Sequence, residues 1–366
     1  MPQAQPAASG ALAQALEAAE QGRRLGAAQA LLLLEQADLL TLGYLAHQRR
    51  LLLNPAPMVT YVVDRNINTT NECLSACRFC AFFRPPGHAE GYILDRRALC
   101  QKIEETLALG GTQILVQGGL HPRIGITATC ETFRFIKEHY PIQIHGLSPP
   151  EVVHMAQLDG LGLNEALDRL IAAGLGSIPG GGAEILVDRV RGLIAPGKCG
   201  TGQWLKVMEL AHQRGLMTTA TMMFGSLETP GERIEHLSRL RDLQDQSLAA
   251  GRGRFTAFIP WTFQPANTAL SHLTPATGVE YLRMLAVARL FLDNFPHVQA
   301  SWVTQGAKMA QLALTFGADD LGSTMIEENV VAAAGVSFRM SKEQMIALAQ
   351  DMGFTARQRD TSYHLL

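Results

Sequence analysis

Charge is scarce in this chain. Asp, Glu, Lys and Arg make up 17% of its 366 residues, against about 25% in an ordinary globular protein. With 31 Lys and Arg against 33 Asp and Glu, the net charge is −2. There is no basic excess, so binding to nucleic acid through bulk electrostatics is not expected. A disordered tail is excluded by the 47% apolar share. Long apolar runs are missing as well. The longest uncharged stretch, Phe255 to Val279, is broken by Pro260, Pro265 and Pro275, so no membrane-spanning helix is expected. Met1 to Leu12 has no charged side chain and no continuous apolar core, which fits neither a signal peptide nor a basic transit peptide. Cysteine is sparse, at six residues, too few for a disulfide scaffold. The expected compartment is therefore the cytosol. Glycine runs the other way: 34 residues, above the usual share of about 7%.

At about 150 residues per domain the length suggests two domains, though one α/β barrel with extensions fits equally. Met1 to Gly10 is rich in Ala, Pro and Gln and reads as frayed. Helical patterns follow at Ala27–Glu35 and Leu39–Leu53, stopped by Asn54-Pro55-Ala56-Pro57. Then strand and helix signals alternate. The strand candidates are Thr60–Asn68, Gln113–Gln117, Ile142–Leu147, Gly176–Ile178, Thr218–Phe224, Phe255–Pro260, Val298–Val303 and Leu321–Met325. Between the fifth and sixth, Thr229 reads as an N-cap, with Pro230 at N1 and Glu232 completing a capping box. Ile234, Leu237, Leu240 and Leu243 supply that helix's buried stripe. Repeated strand–helix units imply a parallel sheet. Eight of them point to a closed (β/α)8 barrel, with a doubly wound sheet as the alternative. The dinucleotide-binding glycine fingerprint is absent, which weakens that alternative. The expected organisation is an N-terminal helical extension over 1–57, a barrel over 58–335 and a C-terminal helical cap over 336–366. Active-site groups in a barrel lie just past the C-terminal ends of strands.

Past the first strand stand Cys73, Cys77 and Cys80, spaced C-x3-C-x2-C. Three thiolates on one short loop can hold three corners of a 4Fe-4S cluster, leaving the fourth iron open to a small molecule. A structural zinc with His88 as a distant fourth ligand is the competing reading, although such sites usually arrive as paired knuckles. Past the fourth strand, Gly180-Gly181-Gly182 would let a ligand approach the backbone closely.

The cysteine loop, with Phe79 immediately before the third Cys, resembles the signature of the radical S-adenosylmethionine (SAM) superfamily. That resemblance implies a 4Fe-4S cluster on Cys73, Cys77 and Cys80, SAM on the open iron, and a TIM-like radical SAM barrel. It also implies SAM contacts. Gln117-Gly118-Gly119 falls where the superfamily has a Gly-Gly-Glu element, but Leu120 replaces the acid. Glu184 matches the position that holds the SAM ribose, or else it caps a helix. Lys198 is a candidate for the SAM carboxylate. Gly225 and Glu228 match an adenine-supporting element only in part, and Met222 and Met223 beside it read as core.

The resemblance narrows further to the cyclic dehypoxanthine futalosine synthase family of menaquinone biosynthesis, from about Ala27 to Tyr363. Its carrying segments are Asp64–Asn68, Gln117–Pro122, His145–Glu151, Pro179–Glu184, Phe258–Pro265, Ser301–Gly306 and Gly322–Val330. Aminofutalosine synthase is similar but lacks counterparts of Trp261 and Gln264; the deazaflavin-cofactor synthases resemble the chain less. One departure stands out: the family's Gly-Ala-Asn-Asp is Gly317-Ala318-Asp319-Asp320 here. The implied substrate is dehypoxanthine futalosine, and the implied partner is a reductant such as flavodoxin or ferredoxin. The implied reaction takes the ribose 4′ hydrogen, joins that carbon to the benzoate ring, and then removes a proton and an electron. His145 is a candidate base, or a core histidine bonded to backbone. Asp320 and Glu327 are rival bases or ribose ligands, or helix N-terminal carboxylates. Ser148, Gln264, Ser301 and Thr304 are candidates to bond the carboxylate or sugar. Trp261 and Trp302 would wall the ring, or simply pack the core.

Overall fold

The computed structural model describes residues 6–366, with side chains from Gly10 onward. Its strands are β1 (Met58–Val62), β2 (Asp64–Asn68), β3 (Gln113–Gln117), β4 (Gln143–Gly146), β5 (Leu175–Ile178), β6 (Met217–Phe224), β7 (Arg254–Thr262), β8 (His297–Val298), β9 (Asp320–Ser323) and β10 (Thr355–Gln358). Strands β2 to β8 pair in chain order, all parallel, as one seven-stranded sheet. A second parallel sheet has the order β10-β1-β9. The smaller sheet joins both edges of the larger. Only Val63 separates β1 from β2. At the other edge Asp319 N donates to Val298 O (3.1 Å) and Ala300 N to Asp320 O (2.8 Å). The barrel expected from eight strand–helix units is thus built from a curled seven-stranded sheet and a three-stranded one.

Alternation along the strands explains the layers. Asp64, Asn66, Gln113, Gln117, Thr219 and Thr221 line a central cavity. On the opposite face Ile67, Ile114, Val116, Ala220 and Met222 lie in the apolar core, while Arg65 pairs with Glu105 at 2.7 Å. A side-chain period of two makes this division automatic. Helices connect successive parallel strands, as crossovers must. The one after β6, Pro230–Ala250, starts as its sequence indicates: Thr229 caps Glu232 N and Glu232 caps Thr229 N. Ile234, Leu237, Leu240 and Leu243 are buried beneath it.

Several expectations need correcting. The candidate strand Thr60–Asn68 is two strands, because β1 pairs with β9 and β10 while β2 pairs with β3. Val298–Val303 is a strand only to Val298. Trp302–Gln305 is a helical turn, with Ser301 N bonded to the Tyr281 hydroxyl instead of a neighbouring strand. Of the stretch read as frayed, residues 1–5 lie outside the described residues and a helix runs from Pro6 to Glu20. The C-terminal segment holds a helix, Lys342–Asp351, but is not wholly helical. It continues into β10, which pairs in register with β1 from Met58–Thr355 to Tyr61–Gln358. Thr-Ala-Arg-Gln carries no apolar alternation, so nothing local announces this strand. Among the described residues no helix is long and apolar enough to cross a membrane.

Candidate active site

The cysteine loop leaves the end of β2 and is pinned by backbone bonds. Cys73 N donates to Arg84 O and Leu74 N to Leu120 O, both at 2.9 Å. Amides also reach sulfur: Leu120 N is 3.2 Å and Ser75 N 3.4 Å from Cys73 Sγ. Ser75 Oγ is 3.0 Å from Cys77 Sγ. Burial pushes the Cys77 and Cys80 thiols up, opposed in both cases by the charge of Lys198. Lys198 itself lies 5.0 Å from the Phe79 ring centroid and 2.5 Å from Glu184 Oε1.

Glycine packs this loop more than it opens space for ligand. A Cβ on Gly119 would fall 2.1 Å from Glu72 O, and one on Gly197 would fall 2.6 Å from Ser75 O. On Gly180 it would meet Thr221 N at 2.5 Å, and on Gly118 the Thr69 hydroxyl at 2.4 Å. The backbone approach expected for a cofactor is therefore, at these positions, loop against loop. Of the expected glycines only Gly181 lines the cavity.

Among the described residues no group of three His, Cys, Asp or Glu stands close enough for one metal ion. His88 is exposed and its Nδ1 accepts from Glu90 N, so the zinc reading finds no fourth ligand. Sulfurs on the outer corners of a four-iron cube stand wider apart than ligands on one ion. Three thiols on one loop, with amides aimed at Cys73 Sγ and a half-buried ammonium nearby, suit the cluster.

The central cavity has a volume of about 270 Å³. Gln117, His145, Gly181, Trp261, Ser301, Trp302 and Thr304 line it together, although their sequence separations span most of the chain. His145 stands within β4 rather than beyond it, with Nδ1 bonded to the Ser177 hydroxyl. Burial, then Arg359, lowers its pKa to about 3, so the imidazole is neutral at ordinary pH. Trp302 donates through Nε1 to Ser323 O at 3.0 Å, fixing its ring. Ser301 and Thr304 hydroxyls bond each other at 3.0 Å.

Other expected site groups are committed elsewhere. Asp320 is fully buried and chelates Arg359 through both oxygens, at 2.6 and 3.0 Å. It also accepts from Thr60 Oγ1 and Gly322 N, leaving it no capacity as a base. Glu327 does not line the cavity; it pairs with Lys102 and accepts from Asn329 Nδ2. Glu228, expected at the cofactor, has no exposed side-chain surface. It accepts from Gly225 N, Ser226 N, Ser226 Oγ and Arg233 Nε, so it and Gly225 form a closed loop staple. Ser148 Oγ donates to Glu151 within its capping box, and Gln264 Nε2 bonds Thr262. Neither lines the cavity. Asp319 pairs with buried Arg289 and with His297 Nδ1 (2.6 Å), so the extra charge noted in the sequence is compensated.

Residues missed from sequence complete the cavity: Asp64 and Asn66 on β2, and Arg359, Thr361 and Tyr363 from the C-terminal tail. The β2 pair carried a legible signal, polar side chains at alternate positions of a buried strand. The tail carried none.

The Radical SAM superfamily profile matches residues 67–240, and the profile of the CofH/MqnC C-terminal region matches 252–366. A cyclic dehypoxanthine futalosine synthase of Halalkalibacterium halodurans is 43% identical over 96% of this chain and 94% of its own length. One of Streptomyces coelicolor is 45% identical, covering 96% and 88%. The chain belongs to the radical SAM superfamily. Within it, a 5-amino-6-(D-ribitylamino)uracil–L-tyrosine 4-hydroxyphenyl transferase of Methanoculleus marisnigri is 42% identical, over 84% of this chain and 85% of its own. Overall identity therefore separates the synthases from the transferases only narrowly. The solved structure of methylornithine synthase (PylB) shares the fold, with TM-score 0.70 and 18% identity over 93% of this chain and 97% of that one.

Proposed function

We propose that this radical SAM enzyme cyclises dehypoxanthine futalosine to its cyclic form in menaquinone biosynthesis. The observation that carries this reading is the identity of 43% and 45% to two synthases over 96% of the chain. Cys73, Cys77 and Cys80 would hold the 4Fe-4S cluster, with Glu184, Lys198, Phe79 and Gly181 beside SAM. When bound, cluster and SAM together supply the radical that takes the ribose 4′ hydrogen. A small reductant protein such as flavodoxin or ferredoxin would deliver the electron.

The chain's own residues then have three tasks. Trp261, Trp302 and Val303 give the cavity apolar walls that keep water from a carbon radical. Half-buried Lys198 pairs with buried Glu184, and each is a polar handle for the amino-acid or ribose part of SAM. Rearomatisation needs a proton acceptor, and of the three candidates only His145 lines the cavity. It is neutral and able to accept, but its low pKa makes it a weak base.

The narrow margin over the transferases makes substrate choice the decisive test. Anaerobic protein with reconstituted cluster is incubated with dehypoxanthine futalosine, SAM and a reductant. A product lighter by two hydrogens, with 5′-deoxyadenosine formed alongside, is expected. Product only from 5-amino-6-(D-ribitylamino)uracil and tyrosine would overturn the assignment in favour of the transferase. Product only with an enolpyruvyl-benzoate acceptor would favour aminofutalosine synthase.

A further inference from the structure

Most polar groups in the cavity wall are already spent on one another. Asp64 accepts from Gln113 Nε2 (2.5 Å) and from Ser323 Oγ. Gln113 Oε1 accepts from the Thr361 hydroxyl. Arg359, the one cationic side chain in the wall among the described residues, is chelated by Asp320 and donates through Nη1 to Asp360 O at 3.0 Å. Among the described residues two wall side chains carry a fully buried polar atom with no partner: Asn66 Oδ1 and the Tyr363 hydroxyl.

Both are held where they are by the fold. Asn66 is 4% exposed on β2, level with Leu115 on β3 and two residues below Gln117. One such step is about 6.6 Å along a strand, so Asn66 stands one side-chain layer beneath the end of the barrel where Gln117 and Gly181 face the cofactor loops. Tyr363 comes from the tail. Its ring stacks on His297 (centroids 3.8 Å, planes 4° apart) and takes the Arg359 guanidinium over it at 3.8 Å. Its backbone has φ 68°, a left-handed conformation that is unfavourable for an L-residue. The turn is maintained by Asp360, which accepts from Ser362 N and His364 N. A strained backbone holding a sandwiched phenol with an unused hydroxyl is the pattern of a ligand contact.

An unpaired amide oxygen and an unpaired phenol, among charges already neutralised, suit neutral hydroxyls and not a carboxylate. We propose that Asn66 and Tyr363 are the positions that read the hydroxyls of the substrate's sugar, so that the C-terminal tail is part of the substrate site. This rests on the substrate being the sugar-bearing benzoate argued above. The sugar would then lie one layer below the cofactor end, with its reacting carbon facing up and the benzoate between Trp261 and Trp302.

The test is calorimetric binding, under anaerobic conditions, of dehypoxanthine futalosine and of analogues each lacking one ribose hydroxyl. Wild-type protein is compared with Tyr363→Phe and Asn66→Ala. One hydrogen bond contributes a net 0.5–1.5 kcal/mol, so each variant should bind the full substrate roughly 2- to 13-fold more weakly. Each should also lose the wild type's discrimination against one deoxy analogue. Thermal unfolding without ligand should be unchanged or slightly raised in Tyr363→Phe, because only an unpartnered hydroxyl is removed. Full affinity in either variant, or undiminished discrimination in both, overturns the proposal while leaving the cyclase assignment intact. Failure of the wild type to bind dehypoxanthine futalosine overturns the assignment and this proposal together, and is seen before any variant is made.

Discussion

Replacing Asp319 by Asn gives this chain the residue of the family it resembles, and the structure says the change is costly. Asp319 is 3% exposed and faces Arg289, which is fully buried. Its Oδ1 also accepts from Val298 N (2.8 Å), and its Oδ2 bonds His297 Nδ1 (2.6 Å). An Asn can keep this geometry, its carbonyl facing Arg289 and Val298 while its amide donates to a neutral His297. What it cannot keep is the charge. Breaking a buried ion pair costs about 3–5 kcal/mol. The carbonyls of Gly317 (2.7 Å) and Pro296 (3.3 Å) still solvate Arg289, so the low end, about 3 kcal/mol, is expected. With unfolding entropy of about 2.1 cal/mol/K per residue, that lowers the melting temperature by about 4 °C. Burial pushes the Asp319 carboxyl up, but Arg289, His297 and the Val298 amide together outweigh it, and the net pKa is lowered. A lowered carboxylate contributes stability above its unfolded pKa of about 3.9 and loses it as pH falls through the folded value. Scanning calorimetry of the two proteins should therefore show a gap that is constant from pH 5 to 8 and closes below pH 4. A gap under 1 °C at pH 7 would refute the reasoning. So would one that closes between pH 5 and 7, because a carboxyl lowered below its unfolded value does not titrate there.

Three further outcomes are expected. His145, His212 and His236 are held neutral by burial, with pKa values lowered to about 3, 4 and 3; the unfolded chain binds these protons first, so stability should fall steadily as pH drops below about 6.5, and denaturant midpoints that stay level from pH 7 to 5 would contradict this. Cys77→Ala should lose the cluster's visible absorption and SAM cleavage together, and activity surviving in that variant would contradict the ligand assignment. Gly119→Ala forces a Cβ to within 2.1 Å of Glu72 O. It should cost about 1–3 kcal/mol and lower iron content, whereas full iron occupancy would show that the loop tolerates the shift.

Local spacing was enough for much of this protein. The three cysteines share one loop, so C-x3-C-x2-C announces them without any knowledge of the fold. The Thr229 cap, the helical stretches and most strands are likewise short-range patterns. Fates decided by distant partners were not legible. Asp320 looked like a free carboxylate near the last strand until Arg359, 39 residues on, was seen to chelate it. Glu327 was drawn off by Lys102, 225 residues earlier in the chain. The glycines of the catalytic rim were recognisable as sites of close approach, but only the fold shows that backbone occupies most of that space.

From the sequence alone came the chemistry class, since thiolate spacing and resemblance are linear properties. The tertiary structure decided which polar groups remain free to act, because a buried group's partners are chosen by packing and not by its neighbours in the chain. It also brought the tail into the cavity: β10 has no apolar pattern of its own and is a strand only because β1 offers it an edge to pair with.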